Sequence, residues 1–388
     1  MKLSISSLSA CLLAVALLLP LGGCGHTGLR FWEKDSLESS IPEEFSPAAV
    51  EGQALEEVAV FPITLQQKEE KVSFFDISGL PQEITWRLQT MNWLDQDRLA
   101  LVVADGRQSI AGNVIMSKAL LFDWKEQEES FVITLPDATV YRVEEVENTL
   151  YFYDSTTIYA VNSGDFSLRD TAPNASGSAP LGNLLLRRDD SGVVLENTAE
   201  DVDNIRVARN DDSGIYGNQM LWAPDGQRFL IARQNLTDQS GNGVLIGSRE
   251  GEFLLEIDIA GTVRSDDEDD MFSRYEFTPF WSADSRSILV ADSSSLRSYS
   301  VASGEMLHRV RGPLYNSVSS VRDVFGDQVI LCKPAGKSWL TVLLNLSTGE
   351  SVDLLETPQS VAARFSPDGS SIVAVESENA SRIYRIEL

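Results

Sequence analysis

Two histidines, His26 and His308, are all that the 388-residue chain offers. An imidazole-built metal site or proton relay therefore has too few members to form. Carboxylates are abundant instead: 58 Asp and Glu stand against 31 Lys and Arg, for a net charge of −27. Clustered carboxylates suit Ca²⁺, and Asp266-Asp267-Glu268-Asp269-Asp270 is such a cluster. It lacks alternating ligand spacing and a turn glycine, so it reads as a solvated loop. Asp201 and Asp203 begin like a calcium loop, but Arg206 stands where that loop needs glycine. Gly336-Lys337-Ser338 ends like a phosphate-binding loop, yet Leu331 occupies the place of its first glycine. A turn between strands explains these three residues. No Gly-x-Ser-x-Gly elbow occurs, and no carboxylate pair stands out for glycoside hydrolysis. No catalytic residue, metal site or cofactor is assigned.

Three further carboxylates, Asp225, Asp284 and Asp368, belong to a recurring stretch. Trp222-Ala-Pro-Asp-Gly226 and Phe365-Ser-Pro-Asp-Gly369 are its clearest copies, Trp281-Ser-Ala-Asp284 a third and Trp93-Leu-Asp95 a degenerate fourth. Proline presets φ, Asp bonds back to the backbone and Gly accepts positive φ, so each copy is a tight turn. Buried-strand runs follow: Leu99–Val103, Phe229–Ala232, Ile288–Ala291 and Ile372–Val375. Trp93 and Trp222 stand 129 residues apart, or three steps of 43, and Trp281 and Phe365 stand 84 apart, or two steps of 42. Propeller blades of four strands repeat at about 40–45 residues. The spacing predicts an all-β fold, a single β-propeller of seven four-stranded blades, with anchors at Trp93, near Glu145, near Gly182, and at Trp222, Trp281, Phe325 and Phe365. The weakly patterned stretch 181–217 leaves six or eight as the neighbouring counts. After the last full strand, Ile383–Ile386, one blade lacks a fourth strand. An N-terminal strand, Val58–Ile63 or Val72–Ile77, is expected to close the ring there and cover an edge that would otherwise invite aggregation.

The Trp/Phe-x-Pro-Asp-Gly turns, with Arg382-Ile-Tyr-Arg-Ile386 closing a blade, resemble the WD-repeat-like propellers of the TolB type. Tyr299-Ser-Val-Ala-Ser-Gly-Glu305 and Tyr159-Ala-Val-Asn-Ser-Gly164 are more similar to the strand-turns of quinoprotein-type and outer-membrane-assembly propellers. TolB proteins carry an α/β domain ahead of the propeller, for which the segment before residue 55 leaves no room.

Residues 1–23 combine Lys2 with an apolar run, Leu12–Leu19, too short to span a bilayer and suited to a secretory signal. The run ends in Leu21-Gly22-Gly23-Cys24, which resembles the lipobox of bacterial lipoproteins. That resemblance implies cleavage before Cys24 and acylation of its thiol, and several acyl chains anchor stably where one does not. Gly25, in a Gram-negative cell, implies outer-membrane sorting toward the periplasm; in a Gram-positive cell the anchor lies on the outer face of the cell membrane. Residues 24–54 are polar and interrupted by proline and glycine, a tether in which Phe31-Trp32 is the one apolar spot. The propeller takes residues 55–388. With Cys11 in the signal and Cys24 acylated, Cys332 alone remains, and no disulfide is available.

A surface this acidic repels phosphate backbones and anionic headgroups, so nucleic acid is not an expected partner and membrane attachment rests on the lipid. The expected function is a non-catalytic scaffold that binds an envelope protein or a ligand. Two alternatives stand beside it: a carbohydrate-binding or carbohydrate-cleaving propeller, and an assembly factor for outer-membrane proteins. The connections leading into the innermost strands carry Arg274, Tyr275 and Glu276, then Tyr315 and Asn316, then Gln359. Aromatic, Arg and amide groups of this kind are enriched at recognition surfaces, and these six residues are the expected binding site.

Overall fold

The computed structural model describes residues 72–77, 80, 85–105, 116–126, 128–136, 138–174, 178–198, 204–210, 215–234, 242–259, 277–292, 295–311 and 321–388. These residues form twenty-eight strands and no helix, arranged as seven four-stranded antiparallel sheets.

Strand β1 (Val72–Asp76) comes first and is set apart from its sequence neighbours. The first blade is β2 (Trp86–Trp93), β3 (Arg98–Asp105), β4 (Met116–Asp123) and β5 (Glu128–Pro136). The second is β6 (Val140–Val146), β7 (Thr149–Asp154), β8 (Thr157–Asn162) and β9 (Leu168–Pro173). The third is β10 (Ser178–Leu181), β11 (Leu184–Asp189), β12 (Gly192–Asn197) and β13 (Ile205–Arg209). The fourth is β14 (Ile215–Trp222), β15 (Arg228–Gln234), β16 (Gly243–Ser248) and β17 (Phe253–Asp258). The fifth is β18 (Thr278–Trp281), β19 (Ser287–Ala291), β20 (Ser295–Ser300) and β21 (Met306–Arg311). The sixth is β22 (Val321–Phe325), β23 (Gln328–Ala335), β24 (Ser338–Asn345) and β25 (Ser351–Thr357). The seventh has β26 (Val361–Phe365), β27 (Ser371–Glu376) and β28 (Arg382–Glu387) from the C-terminus, and β1 as its fourth strand.

The ring closes as expected. β1 pairs antiparallel with β28, Val72 opposite Ile386 and Asp76 opposite Arg382. Arg382 Nε also donates to Asp76 Oδ1 at 2.9 Å. Between Val58–Ile63 and Val72–Ile77, the second run supplies the closing strand; the first lies outside the described residues. The seven innermost strands end at Trp93, Val146, Leu181, Trp222, Trp281, Phe325 and Phe365, five at the expected anchors and two beside the positions expected near Glu145 and Gly182.

The reason for the repeat lies in the turns. In the copies at Asp225, Asp284 and Asp368, Oδ1 accepts the backbone N–H two residues on, at 2.9, 3.0 and 3.0 Å. Gly226 and Gly369 take φ of 65° and 72°, and Ser285 holds φ 59° where the third copy lacks glycine. The first two of these turns also lean on neighbouring blades: Ser285 Oγ accepts the Asp225 N–H at 3.0 Å, and Ser282 Oγ accepts that of Gly326 at 2.9 Å.

Strands β3, β19 and β27 are almost wholly buried, and β15 is buried over Phe229–Ala232, which explains why they read as unbroken apolar runs. Their side chains pack between blades. One apolar cluster joins the seventh blade to the first, and others join the first to the second, the third to the fourth, the fourth to the fifth, the fifth to the sixth and the sixth to the seventh. Cys332 is buried in the last of these.

Candidate functional site

Among the described residues no apolar cluster joins the second blade to the third. A polar network stands there instead, built by alternation along β6. Arg142 and Glu144 point the same way, because side chains two apart on a strand share a face. Arg142 Nη2 donates to Glu144 Oε2 at 2.6 Å, and Nη1 reaches the Pro180 carbonyl of the third blade at 3.3 Å. Glu144 Oε1 accepts the N–H of Gly182 at 2.7 Å and the hydroxyl of Tyr153. Tyr153 is fully buried. Burial pushes its phenol well above the usual tyrosine value, and the Glu144 charge adds to that. Tyr151 stacks on it, with ring centroids 6.3 Å apart and planes 11° from parallel. Its phenol is likewise raised, by burial and then by Glu144 and Glu147.

Beside this junction an open cleft of 440 Å³ is lined by Glu147, Thr149, Tyr151, Arg169, Asn183, Asn197, Arg249 and Glu250, with the apolar Val146 and Leu184. Its walls come from the β6–β7, β10–β11 and β16–β17 turns and the strand ends near them. In antiparallel blades these turns share one face, opposite the connections that lead into the innermost strands. Glu147 and Asn148 both have positive φ, 49° and 60°, the pattern of a two-residue type I′ hairpin. Glu147 lines the cleft from this turn.

Other charged side chains of the innermost strands also tie blades together. Arg322 Nε donates to the Val361 carbonyl at 2.8 Å, and its Nη2 to Ser360 Oγ at 3.0 Å. Asp323 Oδ2 accepts the Phe365 N–H at 2.8 Å, while Arg364 lies 3.9 Å from its other oxygen. Asn92 Oδ1 accepts the Val143 N–H at 3.0 Å. The same device thus recurs: a polar side chain on one innermost strand takes a backbone N–H at the start of the next blade.

Of the residues expected to bind a partner, Gln359 is described. It lies between β25 and β26, its carbonyl accepts from Thr357 Oγ1 at 2.7 Å, and its buried Oε1 has no hydrogen-bond partner. Arg274, Tyr275, Glu276, Tyr315, Asn316 and the acylation candidate Cys24 lie outside the described residues, as does the acidic stretch 266–270. Sequence reasoning missed the cleft. Its arginines and amides come from three blades, two of them weakly patterned, and no spacing within the chain links Arg169 to Arg249.

No family model and no curated protein matches the chain. Solved structures do. An oligogalacturonate lyase in complex with manganese is 9% identical, covers 84% of this chain and 98% of its own, and has a TM-score of 0.51. A chain of the mitotic checkpoint complex is 11% identical over 89% of this chain and 99% of its own, with a TM-score of 0.47. Hydrazine synthase of Kuenenia stuttgartiensis is 10% identical over 71% and 92%, with a TM-score of 0.40. At such identity the lyase comparison speaks for fold alone. The class is defined by seven closed blades: this is a seven-bladed β-propeller.

Proposed function

We propose that this chain is a cell-envelope lipoprotein of the WD-repeat-like, TolB-like kind. Its propeller binds a protein partner through the connections leading into the innermost strands, and Cys24 carries the acyl anchor. The observation that carries this reading is the use made of the innermost-strand charges. Arg142, Glu144, Arg322 and Asp323 are tied to neighbouring blades, so the ring is a stiff frame on which loops vary independently. Binding residues on loops held by a rigid scaffold are the common arrangement. Gln359 lies on one of those connections, between β25 and β26, with its carbonyl fixed by Thr357 Oγ1.

The test is crosslinking capture from intact envelopes. Arg274→Ala and Tyr275→Ala should weaken recovery of the partner without moving the melting temperature, whereas Asp225→Ala should lower the melting temperature with no selective loss of capture. Capture that survives both loop changes would reject the assignment of this face.

A further inference from the structure

The junction between the second and third blades carries a buried polar network, and the cleft beside it holds two arginines, Arg169 and Arg249, together with two glutamates, Glu147 and Glu250. In so acidic a chain most described arginines reach a carboxylate, as Arg142 does on Glu144 at 2.6 Å, Arg187 on Glu196 at 2.5 Å and Arg206 on Asp189 at 2.7 Å. Arg169 and Arg249 do not. Arg169 makes one hydrogen bond, Nη1 to Thr149 Oγ1 at 2.9 Å, which holds it against the cleft wall. The Arg249 guanidinium has no carboxylate partner among the described residues.

We propose that this cleft binds a small hydroxylated carboxylate of the sugar-acid type. Two guanidinium groups on one concavity match a carboxylate, which accepts two parallel N–H bonds from a single Arg. Asn183 and Asn197 each bring amide donor and acceptor together, and Tyr151 and Thr149 add hydroxyls, the set that pairs with groups that both donate and accept. Glu147 and Glu250, which line the cleft, accept from ligand hydroxyls and repel a second negative charge, which disfavours phosphate. The Tyr151 phenol, raised by burial and its acidic neighbours, remains a donor at neutral pH. A volume of 440 Å³ falls within the usual range for small-molecule sites, about 300–1,000 Å³. The site lies on the face opposite the connections assigned to the protein partner, so either assignment can fail alone.

The experiment titrates glucuronate into the full chain by calorimetry, with glucose, acetate and inorganic phosphate as comparators. Glucuronate should saturate one site, and each comparator should bind at least about tenfold more weakly, since loss of one charge-assisted bond is worth about 1.4 kcal/mol or more. Arg169→Gln and Arg249→Gln should each weaken glucuronate about tenfold with melting unchanged, and Arg249→Lys should keep part of the affinity. The proposal is overturned by no saturable glucuronate binding, by acetate or phosphate binding as well as glucuronate, or by full affinity in the double Gln variant.

Discussion

The indole Nε1 of Trp222 donates to the backbone carbonyl of Ala179, 2.8 Å away on the innermost strand of the preceding blade. Trp281 repeats the contact toward Leu221 at 3.1 Å. The tryptophans that open these two copies of the turn motif therefore join blades, and Trp222 also fills the core against Phe229, whose ring it meets edge-on at 5.5 Å. Trp222→Phe keeps an aromatic ring and removes the donor. It should cost about 1–3 kcal/mol, from the lost bond and the volume left behind. Urea unfolding measures this, and a variant within error of the parent would show that the bond adds nothing.

Phe229 also explains a glycine. Gly247 pairs across the sheet with Phe229, and a Cβ there would lie 2.2 Å from the tip of that ring. Phe229 has no exposed surface and cannot swing out, so Gly247→Ala should destabilise by about 1–3 kcal/mol through overpacking. In a Phe229→Leu background the same change should cost less. Equal costs in the two backgrounds, read as a double-mutant cycle, would place the strain elsewhere.

Much of this fold is written locally. The Asp-Gly turns and the apolar runs after them specify each hairpin from residues close in sequence, and the anchor spacing then gives the blade number. Phe166 shows the limit: its aromatic character suggests strand, yet it sits at φ 55° in the turn ahead of Leu168–Pro173. The third blade is the hardest to read because its innermost strand, Ser178–Leu181, has four residues and its junction with the second blade carries a polar network. Hydrophobic periodicity has little to report there. The cleft was illegible for a related reason: Arg169, Asn183 and Arg249 converge only once three blades are in place.

Ring closure by β1 makes the two ends of the propeller depend on each other. Deleting residues 72–76 would strip the outer strand from β28, expose its edge and remove the Asp76–Arg382 contact. The deletion should lower the melting temperature of the whole domain and raise its tendency to associate, because an uncovered edge pairs with other chains. A monomeric deletion that melts with the parent would refute closure as a stabilising device.

Anchoring is tested at one atom. Cys24→Ala removes the thiol proposed to be acylated, so metabolic labelling with a fatty-acid analogue should fall to background and the chain should leave the membrane fraction. Because several acyl chains give stable attachment and none gives little, the shift should be nearly complete. Equal labelling of the variant would sink the lipoprotein reading.

Two aspartates should respond to pH in opposite directions. Asp189 is held far below the usual carboxylate range, first by its hydrogen bonds from Arg206, with the Ser191 amide adding to them. A depressed folded value means that its stabilisation is present above the unfolded value of about 3.9 and is lost as pH falls through the folded one. Asp189→Asn should therefore be less stable than the parent at pH 7, with the difference shrinking below about pH 4. Asp323 is the reverse case: burial raises its carboxyl, against the pull of Arg364 and the Phe365 amide. Its contribution is fully present below about pH 3.9 and is lost as pH rises through the raised value. Asp323→Asn keeps an oxygen for the Phe365 N–H and carries no charge. It should gain on the parent as pH rises from 3 to 7, whereas Asp323→Ala leaves that N–H without its acceptor and should lose about 1–3 kcal/mol. Denaturant titrations across that range decide both cases, and parallel pH profiles for parent and Asn variants would show that neither carboxylate is coupled to folding.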